Sequence, residues 1–575
     1  MGAVTSQKPR KEAQLRASRF AILKRMKIDL PPIPETERTP LVEALLGIID
    51  TQQQHLQQLE ETVGKLRDEI AILKGEQPRP KITPSRLEAP PPKPPTAPGD
   101  KRPGSAKRSK TVSFLTPVEV TIPFPDPPPG STSHGYEEYF VQELLIQGQV
   151  TRYRRERIVT PSGQTLLAPL PDDVLPGSHF GPILQGFILY QYHHGNVTQP
   201  LLLEQLRDLG IDLSAGQLDS ILTQNQDGFH QEKAEVLEAG LQTAEYVGVD
   251  DTTARHDGKN GYCTAIGNDL FAYFESTDSK SRLNFLRVLR GACTGYVINE
   301  VATTYWLKQK LPQKLIELLN VEPKQFADEA AWQARLHELG ITAQRHVLIA
   351  TEGALLGQVI ERGVSPELTI LSDGALQFDI LVHASCWVHA ERPLARMIPY
   401  NEAHRAAIEQ VREQIWELYK DLKAYQAKPD PMAKTTLEAC FDALVNQKTN
   451  YPSSIGAVLK EMREHKDDLL RVLSRPEVPL HNNGSESIIR GYVKTRKISG
   501  STRSEAGRRC RDTFASLKKT CRKLGVSFWA YLQDRLRGLS KVGRLAEEIR
   551  KKAEEQAAGK AAAASPLAVG GGAEG

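Results

Sequence analysis

The chain has 575 residues, of which 74 are Lys or Arg and 70 are Asp or Glu, and its formal net charge is +4. The hydrophobic content of 39% and the charged content of 25% are typical of globular proteins and exclude a fully disordered chain. No run approaches the ~18 apolar residues of a membrane span, and the first residues lack the apolar core of a secretory signal. The six cysteines form no C-x-x-C pair, so we expect a reduced, cytoplasmic protein with no membrane partner.

The net charge hides three basic segments. Residues 1–28 and 74–110 each carry +7, residues 490–523 carry +10, and the rest of the chain carries −20. Basic segments on an acidic body favour a polyanionic partner, most simply nucleic acid. The alternative interpretation is that each segment is an ordinary solvated surface.

The first 130 residues predict three successive segments. Residues 1–40 form a basic N-terminal segment, residues 41–75 a coiled coil, and residues 76–130 a Pro-rich basic linker. The coiled coil predicts a homodimer or a higher multimer, although a helix packed on its own domain would show a similar pattern. Its apolar seam has mostly β-branched residues at heptad position a and Leu at position d: Val42, Leu45, Ile49, Leu56, Leu59, Val63, Leu66, Ile70 and Leu73.

Residues 131–242 predict a small β and helical region that is a candidate for DNA binding. A turn at 161–163 between β-branched and apolar runs predicts a hairpin within 149–167. Thr198 is a candidate helix cap, and Ser214 with Gln217 has the spacing of a capping box at the start of the next helix. The spacing of these two helices is that of a helix–turn–helix, but any two packed helices can produce it.

Residues 243–540 predict an α/β catalytic domain. An apolar strand at 246–249 runs into Asp250 and Asp251, a hairpin follows over 262–274 and a helix over about 278–290, and a second strand at 368–371 precedes Asp373. Amphipathic helices at 401–425 and 434–471 predict an all-α insertion at about 398–475, after which a polar turn opens a helix bearing Glu486. Residues 541–575 are Ala- and Gly-rich and predict a disordered tail.

Three of these acids lie at the edges of apolar elements: Asp250, Asp373 and Glu486. Carboxylates gathered in one site repel one another unless a cation balances them, and hard oxygen ligands select Mg²⁺ or Mn²⁺. Two such ions can activate an attacking oxygen and stabilise the leaving oxygen of a phosphodiester. Composition alone supports this weakly, because a chain with 70 acidic residues offers many triads.

Three ordered sequence blocks resemble the insertion sequence 66 family of transposases. The first is VDDT at 249–252 with GKNGYCT at 258–264, and the second is SDGALQF at 372–378 with CWVHAER at 386–392. The third is PLHNNGSE at 479–486 followed by KISGSTRS at 497–504. The resemblance covers residues 240–535 and, more loosely, the regions before them.

The resemblance implies a DDE transposase with an RNase H-like catalytic core, a mixed sheet flanked by helices. Asp250, Asp373 and Glu486 would be the three catalytic acids and would hold two Mg²⁺ or Mn²⁺ ions. Asp251 is the rival for the first position, because neighbouring residues of a strand face opposite sides and only one can face the metals. The match of the motif favours Asp250.

The same blocks imply supporting residues around the acids. His389, Arg392, His481, Asn482 and Asn483 would support the active cleft. The cations that follow the third acid would contact DNA and position its backbone: Arg490, Lys494, Arg496, Lys497, Arg503 and Arg508.

The sequence departs from the family in one respect. Members commonly carry a Cys-rich zinc-binding segment between the coiled coil and the catalytic domain, whereas residues 76–242 contain no Cys. The spacing His383-x-x-Cys386-x-x-His389 offers too few ligands for a structural zinc site, and residues 99–104 have Walker spacing without the required Lys-Ser/Thr. We therefore expect neither zinc nor ATP.

The overall prediction is a bacterial-type DNA transposase, located in the cytoplasm with the nucleoid. It would bind the terminal repeats of its own element, cleave there, and join the 3′-hydroxyl ends to target DNA, with or without companion proteins of the same element. The alternatives are an RNase H-like nuclease that does not join ends and a catalytically retired, transposase-derived DNA-binding regulator.

Overall fold

The computed structural model describes residues 120–564 apart from 133–134, 138–140, 142, 172–173, 175–178 and 400. The predicted N-terminal segment, the coiled coil and most of the Pro-rich linker lie outside the described residues, as does the end of the predicted tail. Those predictions therefore stay predictions.

A five-stranded mixed sheet lies at the centre of the described part. Its strands are β3 Tyr246–Thr253, β4 Tyr262–Gly267, β5 Ala272–Thr277, β8 Thr369–Ser372 and β9 Val382–Ser385. In spatial order they are β5, β4, β3, β8 and β9; β4 is antiparallel to both of its neighbours, and β3, β8 and β9 are parallel. The α/β class predicted from the sequence is thus observed, with helices against the sheet. Two smaller pairs are β1 Arg157–Val159 with β2 Thr165–Leu167, and β6 Tyr296–Val297 with β7 Gln325–Phe326.

Strand β3 is longer than its apolar run predicts. Its parallel partner β8 pairs only with residues 246–248, but its antiparallel partner β4 pairs in register from Gly248 to Thr253. Asp250 therefore lies inside the strand and not at its end. The apolar run stops at Val249 because the second half of the strand leaves the large hydrophobic core.

Helices pack around this sheet, and the helices between Glu402 and Leu469 form the all-α insertion. In chain order they are α1 Pro182–His193, α2 Gln199–Asp208, α3 Ala215–Thr223, α4 Asp227–Thr243, α5 Arg282–Arg290, α6 Glu300–Lys308, α7 Gln313–Leu319, α8 Glu329–Glu338, α9 Gln344–Glu361, α10 Trp387–Ala395, α11 Glu402–Ala427, α12 Pro431–Asn446, α13 Ile455–Glu464, α14 Lys466–Leu469, α15 Asn483–Ser499, α16 Glu505–Leu524, α17 Phe528–Arg537 and α18 Leu545–Ala564. No helix in this described part is long and apolar enough to cross a membrane.

Helices on both sides of the predicted boundary at 242 pack together. Helix α1 packs on α17, and α4 packs on α16 and α18, so residues 182–243 share one hydrophobic core with the sheet. The buried faces of α1 to α4 are apolar at helical spacing and need the C-terminal helices as partners. Helix α3 also carries no Lys or Arg, so it lacks the cations that a DNA-reading helix would use.

One of the two helix N-caps predicted in this region forms its capping hydrogen bonds. Ser214 Oγ accepts from the backbone N–H of Gln217 at 3.2 Å, and Gln217 Oε1 accepts from the Ser214 N–H at 2.9 Å, which is the predicted capping box. Thr198 stands at the N-cap of α2, but its side chain makes no capping hydrogen bond. The β1–β2 hairpin lies within the predicted 149–167 segment and is exposed on both strands.

Two helix predictions near the C-terminus need correction. The tail predicted to be disordered from 541 is helical over Leu545–Ala564, because Leu545 and Ile549 are fully buried against the core. The single helix predicted over 434–471 is three helices, α12, α13 and α14. Pro452, which has no backbone N–H, lies in the break between the first two.

Candidate active site

The two neighbouring aspartates of β3 face opposite sides of the sheet. Asp250 is directly opposite Ala265, whose side chain lies in the small core beneath α15. Asp251 is opposite Thr264 on the other side, where its carboxylate accepts from Thr264 Oγ1 at 2.6 Å and from Gln377 Nε2 at 3.1 Å. Asp250 thus faces the helix that carries Glu486, and Asp251 is occupied by hydrogen bonds.

The second acid follows directly from the end of β8. Asp373 is exposed, and its carboxylate accepts from the backbone N–H of Ala375 at 3.2 Å. Gly374 has a φ of +94°, a backbone conformation that residues with a side chain rarely adopt. Because β3 and β8 are parallel neighbours, this turn and the C-terminal half of β3, which contains Asp250, lie towards the same end of the sheet.

The third acid sits in the first turn of α15, surrounded by cations. Glu486 Oε2 accepts from Arg490 Nη2 at 2.6 Å, and its Oε1 is 3.6 Å from Arg392 Nη2 and 3.8 Å from His389 Nε2. The structure therefore brings two of the predicted cleft residues to Glu486. Arg490, one helical turn after Glu486, donates a hydrogen bond directly to the Glu486 carboxylate.

Helix α15 is fixed against β3 through its first residues. The Asn482 side chain donates to the Val249 carbonyl at 2.8 Å, and its backbone N–H contacts Cys386 Sγ at 3.2 Å. A Cβ added to Gly248 would lie 2.1 Å from Ser485 Oγ, so only glycine permits this close approach. Asn483 begins the helix. These contacts hold Glu486 over the strand that bears Asp250.

The electrostatics of Asp250 reflect its neighbours. Burial, together with the charges of Asp373, Glu486 and Asp251, raises its pKa to about 6, although a backbone hydrogen bond from Asp251 opposes the shift. Burial also lowers the pKa of His389, assisted by the positive charge of Arg392. The negative charges of both other acids therefore contribute to the raised pKa of Asp250.

The raised pKa of Asp250 predicts that Asp250→Asn stabilises the cation-free protein at high pH. The folded state holds the proton more tightly than the unfolded chain does, so ionisation destabilises the fold; this penalty is absent below pH ~4 and complete above pH ~6. Allowing for partial solvent exposure, we expect a gain of about 1–2 kcal/mol at pH 8 and almost none at pH 4.

Thermal unfolding in a chelator at pH 4, 6 and 8 measures this effect. Glu361→Gln, at an exposed helix end, is the matched control and should leave stability unchanged at each pH. An equal gain for Asp250→Asn at pH 4 and pH 8 would contradict the crowding of the three acids.

The three acids fit a hard divalent cation in their chemistry. Within the described residues, no three His, Cys, Asp or Glu side chains are close enough to form a ready-made metal site. The carboxylate oxygens of Asp250, Asp373 and Glu486 are nevertheless the ligands that Mg²⁺ and Mn²⁺ prefer. Burial raises the pKa of Asp250 most and the charges of the other two acids add to the shift, and a bound cation would offset both effects. Glu486 would exchange an arginine partner for the cation.

Three buried polar atoms beside the acids have no hydrogen-bond partner within the described part of the chain. They are His389 Nδ1, His481 Nδ1 and Asn482 Oδ1. Buried polar atoms are normally paired, so each of these unpaired atoms is a candidate partner for a bound ligand.

The cations predicted to contact DNA divide into two groups. Lys494, Lys497 and Arg503 are exposed, and no ion pair is found for them in the described structure. Arg496 instead donates to the Thr253 carbonyl and to the Thr252 and Thr253 hydroxyls, which ties α15 to the end of β3. The remaining two pair with acids: Arg490 with Glu486, and Arg508 with Glu505 and Asp278.

The exposed group predicts a salt-dependent loss of DNA binding. Replacing Lys494, Lys497 and Arg503 together with Ala should weaken DNA binding and reduce the slope of log affinity against log salt by roughly 2–3, about 0.9 for each lost phosphate contact. Titration of duplex DNA at several salt concentrations measures it. The matched control replaces Lys420, Lys423 and Lys428, exposed on and just after α11, and an equal loss there would point to net charge alone.

The His-x-x-Cys-x-x-His spacing does not converge on one point. Both ring nitrogens of His383 are engaged, by Ser372 Oγ at 2.9 Å and by Asp468 Oδ2 at 3.0 Å. Cys386 is buried against Asn482, and His389 faces Glu486.

Several site residues were missed by the sequence reasoning. Thr264 and Gln377, which hold Asp251, lie within the family-like blocks, so their place in those blocks was an available signal. The loop at 255–260 pairs with residue 502, where the His256 ring contacts Thr502 Oγ1 at 2.9 Å. The partnership between His383 and Asp468, 85 residues apart, had no sequence signal at all.

Asp250 lies in β3, Asp373 directly follows the neighbouring strand β8, and Glu486 lies in the first turn of α15. The similarity of the chain to known proteins is to a class of DNA-processing enzymes. Residues 373–509 match the family described as Transposase IS66 family. The chain is also 40% identical over 304 residues to the uncharacterized protein y4jO of Sinorhizobium fredii (strain NBRC 101917 / NGR234), a match covering 52% of this chain and 94% of that relative. The chain belongs to the IS66 transposase family.

Proposed function

We propose that this protein is a DDE transposase that binds the ends of its own element, cleaves phosphodiester bonds there and joins the freed 3′-hydroxyls to target DNA. The observation that carries the proposal is the raised pKa of Asp250, which burial and, to a smaller extent, the charges of Asp373 and Glu486 bring to about 6. The matched family region contains Asp373 and Glu486. The sheet order, with three antiparallel strands followed by two parallel ones, supports an RNase H-like core.

The three acids would hold two Mg²⁺ or Mn²⁺ ions. Bound there, the ions would supply charge neutralisation at the scissile phosphate and activation of the attacking oxygen. The protein's own part is positioning, because phosphoryl transfer without a covalent protein intermediate depends on alignment and electrostatics. Asn482 and Gly248 hold α15 close to β3, and Gly374 turns the chain after Asp373.

Cations around the acids suit a polyanionic substrate. Arg392 and His389 lie beside Glu486, and Arg490 is 74% exposed, so its guanidinium can turn to a phosphate when Glu486 takes up a cation. Lys494, Lys497 and Arg503 extend this positive surface along and beyond α15. Contacts of this kind fix the register of the DNA backbone and do not read its sequence.

A strand-transfer assay tests the proposal. The substrates are duplexes made from the DNA that flanks the gene, in blunt and pre-cleaved forms, with a supercoiled target plasmid and Mg²⁺. We expect cleavage of the blunt duplex and joining of the pre-cleaved one. Cleavage without joining would replace the proposal with a nuclease, and binding without cleavage in either Mg²⁺ or Mn²⁺ would replace it with a regulator.

The predicted coiled coil assigns multimerisation to residues 41–75. Two element ends must be held together for joining, so we propose a homodimer or a higher multimer through this segment. Deleting residues 41–75 should lower the mass measured by light scattering, and an unchanged mass would remove the segment from that role.

A further inference from the structure

A buried hydroxyl organises the turn that bears Asp373. Ser372 is fully buried, and its Oγ accepts from the backbone N–H of Gly374 at 3.0 Å while lying 2.9 Å from His383 Nε2. The carbonyl of Ser372 accepts from the Cys386 N–H at 3.0 Å. The residue before Asp373 is thus fixed on both its side chain and its backbone.

The hydrogen bonds continue from the turn into the helical insertion. His383 is 5% exposed, and its Nδ1 lies 3.0 Å from Asp468 Oδ2 on α14. A carboxylate only accepts, so Nδ1 donates to Asp468, and in the neutral ring Nε2 accepts from the Ser372 hydroxyl. The hydroxyl is then left to accept from Gly374, and every hydrogen bond in the chain has a defined direction.

Further contacts fasten the insertion at the same place. Arg471 Nε donates to the His383 carbonyl at 2.9 Å, and its Nη2 is 3.5 Å from Asp468 Oδ1. Trp387 Nε1 donates to the Leu469 carbonyl at 2.7 Å. Strand β9 and helix α10 therefore dock on α14 through polar contacts, and the Asp468–His383–Ser372 chain is the route from that contact to the catalytic turn.

We propose that Asp468 and His383 are positioning residues for Asp373, through which the helical insertion sets the geometry of the second catalytic acid. Neither residue touches the reacting atoms. Their effect passes through Ser372 and the Gly374 amide, which fix the direction in which the chain leaves β8. The inference rests on the proposed function only in assigning Asp373 a catalytic role; the hydrogen-bonded relay itself can be measured without any DNA.

Hydrogen–deuterium exchange of the full chain tests the relay directly. In Asp468→Ala we expect the amides of Gly374 and Ala375 to exchange at least about tenfold faster than in the wild type, because their turn loses its anchor. The matched control is Asp467→Ala, one residue away on the same helix but exposed, which should leave this peptide unchanged. Equal exchange in the two variants would overturn the relay, whether or not the protein cuts DNA.

Cleavage kinetics test the consequence for the active site. Asp468→Ala should lower the single-turnover cleavage rate about 10–100-fold, as loss of an outer hydrogen-bond partner does at metal sites, with DNA affinity unchanged. Asp468→Asn keeps an acceptor for His383 and should recover the rate to within about threefold of the wild type. If Asp468→Ala accelerates exchange but leaves cleavage at the wild-type rate, the positioning role is wrong. A wild-type chain that cuts no DNA would defeat the proposed function and leave the exchange result standing.

Discussion

Asp250→Asn should abolish DNA cleavage, whereas Asp251→Asn should only weaken it. Asp250 faces Glu486 and feels the charges of two other acids, so its loss removes a ligand for the metal ions and should lower the single-turnover rate at least about 1,000-fold, or roughly 4 kcal/mol in the barrier. Asp251 lies on the other side of β3, bonded to Thr264 and Gln377. Its replacement disturbs support and should cost less than about 30-fold, or roughly 2 kcal/mol.

The measurement is cleavage of an end-bearing duplex in Mg²⁺, with DNA binding followed in parallel by mobility shift. Both variants should bind DNA as the wild type does, because neither substitution removes one of the exposed cations proposed to contact DNA. Asp373→Asn and Glu486→Gln should match Asp250→Asn. If Asp251→Asn is inactive and Asp250→Asn is active, the first acid is Asp251, and the metals lie on the opposite face of β3.

The stability and activity of Asp250→Asn should move in opposite directions. The burial of Asp250, together with the charges of the other two acids, destabilises the cation-free protein once Asp250 ionises, so the variant that cannot cleave should unfold at a higher temperature at pH 8. This combination separates a catalytic acid from a structural one, since loss of a structural carboxylate lowers both quantities.

The sequence predicted the local features of the fold and the site better than the strand pairing. The local signals held where contacts are local: the capping box at Ser214 and Gln217 formed as its spacing predicts. The alternation of β3 was enough to put Asp250 and Asp251 on opposite faces. The end of β3 was misplaced because pairing with β4 depends on residues 262–267, and a hydrophobicity pattern within one strand carries no information about its partner.

Long-range partnerships were beyond the reach of sequence patterns. Arg496 belongs to a basic run and was predicted to contact DNA, but its guanidinium is held by the end of β3, more than 240 residues away. Asp468 lies in a stretch of mixed charge in the insertion, yet it meets His383 next to the turn that bears Asp373. A charged residue contributes the same composition whether it faces solvent or a buried partner, so only the fold separates the two.

The same limitation explains the misjudged C-terminus. An Ala-, Lys- and Glu-rich segment looks like a solvated tail, but α18 begins at a buried ionic cluster centred on Glu232 of α4. The Glu232 carboxylate accepts from Arg535 Nε and Nη2 at 2.8 and 2.9 Å, from Tyr531 at 2.9 Å and from the Leu545 N–H at 3.1 Å. One side chain thus joins α4 to both α17 and the start of α18.

Glu232→Ala should strongly destabilise the fold. Burial by itself would raise the pKa of Glu232, but the hydrogen bonds from Arg535, Leu545 and Tyr531 lower it, so the carboxylate is charged and fully paired. Removing one partner of a buried ion pair leaves the other charge without compensation, and we expect a loss of about 3–5 kcal/mol in the free energy of unfolding.

Urea unfolding at pH 7 measures the loss, with Glu235→Ala as the matched control. Glu235 lies one turn of the helix away and pairs with Arg544 at 2.5 Å, but both side chains are about one-third exposed, so its loss should be no more than about 1 kcal/mol. In a double-mutant cycle, adding Arg535→Ala to Glu232→Ala should cost much less than Arg535→Ala alone, because the buried cation leaves with its partner. Equal losses for Glu232→Ala and Glu235→Ala would mean that the C-terminal helix is held by its apolar face alone, through Leu545 and Ile549, and that the ionic cluster adds nothing to the fold.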